Sequence, residues 1–194
     1  AGHIIMAQAI KQGTSKQLVE LFTATPHHWS VRVKDIAYLH PDFDTSRPPF
    51  DNRRYYRPVP SAALPGMLDA YQDVVSVSLF GEDLAGFYTA HDWRAMGLAA
   101  AYYPPSLFSP QEAVAVNSQR ASKGEAVRWL QRHLGLAQLP VLAIGDSPAD
   151  ATMFPLGIGV APANAVAEVK AAADWLAPHC NEGAVAAALQ RYVF

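Results

Sequence analysis

Two aspartates, Asp146 and Asp150, stand four residues apart in the stretch VLAIGDSPADATMF (141–154). An apolar run ends at Gly145, and Ser147 lies between the carboxylates. If VLAI is a strand of a parallel sheet, Asp146 lies at its carboxyl end, where open α/β sheets bind ligands. Asp150 follows one helical turn later and can face the same way. Two carboxylates there suit a hard cation. Mg²⁺ takes oxygen ligands and commonly uses one or two carboxylates together with waters and substrate phosphate. On spacing alone an equal alternative stands: Asp146 or Ser147 caps the helix that follows.

Lys123 shifts that balance. It falls in the first turn of a helix read from SKGEAVRWLQRHLG, with Ser122 and Glu125 as a capping pair and Gly135 as the stop. A cation at a helix N-terminus opposes the dipole by about 0.3–1 kcal/mol. An anion bound at that terminus removes the conflict. One helix and one strand separate Lys123 from Asp146, the connection that brings neighbouring loops to one sheet edge.

The elements that position these groups follow from hydrophobic patterning. From residue 122 onward helices and strands alternate: LPVLAIG, IGVA and WLA as strands, with ADATMFPLG, NAVAEVKAAAD and NEGAVAAALQRYV as helices, the last capped by Asn181. LPVLAIG is continuously apolar, as in a parallel strand covered on both sides. Val127, Leu130 and Leu134 share one face of their helix. This is the pattern of a doubly wound half-sheet. The earlier part reads differently. HIIMAQAI is strand-like and SKQLVELFTA helical. WSVRVKDIAYL alternates as one half-buried antiparallel strand. SAALPGMLDAYQD is a helix, VVSVSLFG a strand, EDLAGFYTAHDWRAMG a helix, and LAAAYYPP and EAVAVN strands. Together they give an α+β pattern whose sheet has one open face.

Residues 41–60 carry five prolines and four arginines, which excludes helix and central strand. Arg47, Arg53, Arg54 and Arg57, with the His27-His28-Trp29 cluster, are candidates for contact with an anionic substrate. A solvated loop is the plainer alternative.

Composition limits the classes. A net charge of −2 over 194 residues argues against a nucleic-acid protein. No apolar run approaches the ~20 residues of a membrane span, and the N-terminus lacks the form of a signal peptide. The single cysteine, Cys180, permits no internal disulfide and fits a reducing cytoplasm.

The stretches SKGEAVRWL, VLAIGDSPADATMF, IGVAPANAVAEVKAAADWLA and EGAVAAALQRYV together resemble the C-terminal half of a haloacid dehalogenase (HAD) superfamily phosphatase, of the Cof-type or mannosyl-3-phosphoglycerate- and sucrose-phosphatase-like branch. The resemblance implies an α/β fold: the C-terminal half of a doubly wound, Rossmann-like HAD core over 121–194, an α+β cap over 15–120, and a strand over 1–14 leading in from the rest of the core. It implies Lys123 as the residue that neutralises nucleophile and phosphoryl group. Asp146 becomes a Mg²⁺ ligand, and Asp150 a second ligand or its support. Asn164, in ANA, lies close to the active site and with Arg53 and Arg54 would contact substrate. Ala149 stands where the family motif carries asparagine. The implied reaction is Mg²⁺-dependent hydrolysis of a small phosphorylated metabolite, such as a sugar phosphate or phosphoglycerate conjugate, in the cytoplasm. It proceeds through an aspartyl-phosphate.

The family's nucleophile motif, Asp-x-Asp on the first core strand, is not found before the cap-like region. The resemblance therefore implies a nucleophile outside these 194 residues. One competitor is Asp42 in Asp42-Phe43-Asp44-Thr45, although His40 and Pro41 interrupt the strand before it. Two other readings remain. One is a GDS-type serine esterase using Ser147, for which the only late acid–imidazole pair is Asp174 and His179. The other is a non-catalytic fragment or binding module.

Overall fold

The computed structural model describes residues 6–46, 55–64, 66–67, 72–105 and 110–194. The chain divides into two compact units, Ala1–Arg120 and Ala121–Phe194.

The first unit is a six-stranded sheet of order β3-β2-β1-β4-β6-β5, with β1 His28–Val33, β2 Ile36–Leu39, β3 Tyr56–Pro58, β4 Val74–Gly81, β5 Leu98–Tyr103 and β6 Glu112–Ser118. All pairings are antiparallel except β2 with β3. Period-two alternation sorts its residues. Trp29, Val31, Val77, Leu79, Val114 and Val116 are buried in one cluster with Leu18, Val19 and Phe22 of helix α1 (Gln12–Thr23) and Leu84 of helix α2 (Leu84–Thr89). The opposite face presents His28, Ser30, Arg32, Ser76, Ser78, Phe80, Ala113 and Ala115, all half-buried. The sheet thus has one core face and one half-buried face, on which Phe43 packs against His28 and Phe80, rather than the fully open face its alternation suggests.

Four expectations change here. WSVRVKDIAYL is a hairpin, not one strand: Lys34 adopts φ 54° and reverses the chain, pairing Val33 with Ile36 and Ser30 with Leu39. The helix over EDLAGFYTAHDWRAMG stops at Thr89. Beyond it the Trp93 indole donates to Tyr88 O at 2.9 Å, and the His91 ring contacts Phe87 O at 2.8 Å. Side chains thus take carbonyls that another turn of helix would have used. Of the strand expected over 1–14, residues 1–5 lie outside the described residues. Residues 6–11 form no strand, and α1 begins at Gln12. The helix over SAALPGMLDAYQD begins with a 3-10 turn at Ser61–Ala63, and its later part lies largely outside the described residues.

The second unit holds a three-stranded parallel sheet, β7 (Val141–Ile144), β8 (Gly157–Pro162) and β9 (Trp175–Ala177), in that order. Its helices are α3 (Lys123–His133), α4 (Pro148–Ala151), α5 (Ala167–Ala172) and α6 (Ala184–Tyr192). Two clusters fill its two faces. Ala143, Ala161, Ala165 and Val169 pack with Phe154; Val160 and Ala177 pack with Ala184 and Ala188. Helices on both faces of a parallel sheet make the unit a doubly wound α/β half-sheet.

The covering is incomplete at its edge. Among the described residues β7 pairs only with β8, and only Ala143 of its four residues is buried. Leu130 on α3 and Leu134 just after it are exposed. Asn181 does not cap α6. It sits inside a 3-10 turn, Cys180–Glu182, that His179 caps.

Candidate active site

The carboxyl ends of β7, β8 and β9 are sewn together by their loops. Val166 N–H donates to Asp146 O at 3.2 Å, joining the loop after β8 to the loop after β7. Ala163 N–H donates to Pro178 O at 3.3 Å, and Cys180 N–H donates to the Asn164 side-chain oxygen at 3.0 Å. Asn164 therefore spends its carbonyl on linking the β8 and β9 loops.

Asp150 is the centre of the site. Its carboxylate accepts four donors: Lys123 Nζ at 2.5 Å, Ser147 Oγ at 2.7 Å, Ser147 N–H at 3.1 Å and Asp146 N–H at 3.3 Å. The third residue of α4 thus reaches back to the N–H of Ser147, as a capping-box acid does. Gly145 makes this possible: a Cβ there would lie 2.0 Å from Asp150 Cβ. Burial pushes the Asp150 carboxyl up, but the hydrogen bonds from Lys123 and Ser147 outweigh it and hold the group below its ordinary 3.8.

Lys123 opens α3. Ser122 caps this helix, accepting Glu125 N–H at 3.1 Å, while the Glu125 carboxylate pairs with Arg128 rather than closing a capping box. The Lys123 side chain is 56 % exposed against 11 % for Asp150. The ammonium is therefore anchored from below by a buried carboxylate and open to solvent above. The conflict between Lys123 and the helix dipole is relieved internally by this anion.

Asp146 differs from Asp150. It is exposed, and among the described residues no ion pair engages its carboxylate. No group of three His, Cys, Asp or Glu side chains able to hold a metal occurs among the described residues. One free carboxylate beside an anchored ammonium fits a magnesium ion whose remaining ligands are waters and substrate oxygens.

The other candidates fall elsewhere. Arg47, Arg53 and Arg54 lie outside the described residues. Arg57 is exposed on β3, opposite Tyr38. Trp29 is 1 % exposed, a core residue, and His28 stacks on His40 with ring centroids 4.9 Å apart. Asp42 is exposed, follows β2 of the mostly antiparallel sheet, and its N–H donates to His40 Nδ1. For the esterase reading, Ser147 donates to a carboxylate and no imidazole is hydrogen-bonded to it among the described residues. Asp174 accepts Gly159 N–H, and His179 caps a turn.

One contact at the site left no mark in the sequence pattern: Gly124 N–H donates to Thr152 Oγ1 at 3.0 Å.

Comparison with known proteins bears on the family and the fold. The family model described as haloacid dehalogenase-like hydrolase matches residues 1–189. A Bacillus subtilis (strain 168) protein named as a phosphatase, YxeH, is 47 % identical over 74 residues, 38 % of this chain and 27 % of that protein. A haloacid dehalogenase-like hydrolase from B. subtilis superposes with TM-score 0.75 at 17 % identity, over 100 % of this chain and 74 % of that one. The HAD subclass IIB sugar phosphatase BT4131 superposes with TM-score 0.73 at 16 % identity, over 95 % and 68 % respectively. The chain thus spans about a quarter of that curated relative and about 70 % of these solved structures. With its doubly wound sheet, its lysine-anchoring aspartate and a family match over nearly its whole length, this chain belongs to the haloacid dehalogenase-like hydrolases.

Proposed function

We propose that this chain is part of a Mg²⁺-dependent phosphohydrolase acting on a small phosphorylated metabolite, of the sugar-phosphate or phosphoglycerate kind, in a reducing cytoplasm. The observation that carries the reading is the Lys123–Asp150 pair beside the free carboxylate of Asp146, at the carboxyl edge of a parallel sheet. Magnesium, when bound, supplies positive charge to the transferring phosphoryl oxygens. Asp146 is the residue that would hold it. Asp150, with its four donors, keeps Lys123 in place. Lys123 sets an ammonium against the phosphoryl group and the attacking carboxylate, and phosphoryl transfer rests on such positioning and electrostatics. The phosphoryl group passes first to an aspartate and then to water. Asp42 is exposed and follows a strand of an antiparallel hairpin rather than a parallel core strand, so we assign the nucleophile to an aspartate outside these 194 residues. Residues 15–120, within the first unit, act as the cap, and we assign substrate contact to Asn164 and, outside the described residues, to Arg53 and Arg54.

The test is hydrolysis of an aryl phosphate with Mg²⁺, by this chain and by a longer polypeptide that extends it N-terminally. Turnover is expected only in the longer form, and is expected to be lost in Asp146→Asn and Lys123→Ala. Turnover by the 194 residues that survives Asp42→Asn contradicts the placement of the nucleophile. Turnover that ignores Asp146→Asn contradicts the site.

A further inference from the structure

Lys123 is the second residue of a segment whose first turn leaves backbone donors without helical partners. Ser122 satisfies one, the N–H of Glu125. The N–H of Gly124 turns instead to a residue 28 positions away, donating to Thr152 Oγ1 at 3.0 Å. The same hydroxyl donates to Ala149 O at 2.7 Å, so both its donor and its acceptor capacity are in use and its orientation is set. The approach is close: a Cβ on Gly124 would lie 2.1 Å from Thr152 O. Gly124 is buried. The start of α3 therefore rests on the end of α4, and the residue between cap and contact is Lys123.

Resting on the phosphohydrolase reading, we infer that Thr152 is a positioning residue for Lys123: its hydroxyl pins the N-terminus of the lysine helix to the aspartate loop. Lys123 is a long side chain, more than half exposed. Asp150 holds its tip; Thr152 holds its root. With both ends fixed the ammonium samples little space, which is the condition for effective electrostatic catalysis.

Two readouts test this. The first is site-resolved acetylation of lysines by a limiting N-hydroxysuccinimide ester, followed by mass spectrometry, with Lys11, Lys16, Lys34 and Lys170 as internal references. Thr152→Val keeps the shape and removes the hydroxyl. It is expected to raise the labelling rate of Lys123 relative to the references by about fivefold, the worth of one hydrogen bond. Thr152→Ser, which keeps the hydroxyl, is expected to leave the rate unchanged. Thr152→Ala takes the place of the valine variant where that variant does not fold. An unchanged Lys123 rate in the valine variant overturns the inference. So does equal acceleration at all five lysines, or a serine variant that behaves like valine. The second readout is aryl phosphate hydrolysis by the extended polypeptide. There Thr152→Val is expected to lower kcat about tenfold with KM unchanged, and serine to restore it. Wild type that turns nothing over counts against the phosphohydrolase reading alone, because the labelling still decides the role of Thr152.

Discussion

Replacing Asp150 with asparagine changes one oxygen for an amide and should have a large effect. Four donors converge on this carboxylate. An amide offers one acceptor and two donors of its own. If its oxygen serves Ser147 N–H and Asp146 N–H, its NH₂ faces the Lys123 ammonium. If it is turned round, the NH₂ faces two backbone N–H groups instead. In the first case the bond from Lys123 becomes a donor–donor contact, in the second the two backbone bonds do, and in both the bonds that remain lose the charge of the carboxylate. Hydrogen bonds to charged groups contribute about 1.5–3 kcal/mol. Lys123 is 56 % exposed and can return to water, so its share of the loss is the small one of a surface pair. The expected destabilisation is therefore about 2 kcal/mol, mainly from the turn at Asp146-Ser147. The pH dependence gives a second check. The folded state holds this carboxyl below its ordinary 3.8. Its contribution is then complete above that value and is lost as pH falls through the folded value. Asp150→Asn has no such term, so the gap between wild type and variant should narrow as pH drops below 3.8. Urea unfolding with hydrogen exchange read on the amides of β7 and β8, at pH 7 and in acid, measures both. A variant as stable as wild type at neutral pH, or a gap that does not shrink in acid, refutes the reasoning.

Gly124→Ala should destabilise by about 1–3 kcal/mol, because its Cβ meets the Thr152 carbonyl. A higher melting temperature, which helix propensity alone would favour, would contradict the packing. Asp146→Asn should leave stability within about 0.5 kcal/mol, since the side chain is exposed, yet abolish Mg²⁺ binding in titration calorimetry. Trp29→Ala, emptying a site 1 % exposed, should cost about 3–5 kcal/mol, visible as loss of amide protection across β1 and β4.

The parts of the fold that read easily from sequence are those where one local pattern decides. VVSVSLFG and EAVAVN are strands because β-branched residues alternate without interruption, and Ser122 marks the start of α3 because its side chain acts locally. The hairpin at 28–39 was hidden because Val31 and Val33 alternate straight into a turn that carries no glycine or asparagine. Lys34 takes the left-handed conformation unannounced. The truncated α2 depended on the tryptophan and histidine side chains beyond it. Periodicity showed that Leu130 and Leu134 share a face but could not say that the face stays exposed. At the site, residue types named Lys123, Asp146 and Asp150. The division between them, one carboxylate saturated and one free, required the distances.

The half-buried face of the first unit's sheet has a consequence for how such a protein can change over generations. Ser30, Ser76, Ser78, Ala113 and Ala115 alternate with core residues and are half-buried on the opposite face. Exchanges there cost little stability, of the order of 0.5 kcal/mol each. The aspartate loop has no such latitude, because the backbone at Gly124 and Gly145 touches its neighbours with no room for a methyl group. One sheet can therefore drift in surface chemistry while the other stays locked. Selection can retune what the first unit meets without reopening the geometry of the second.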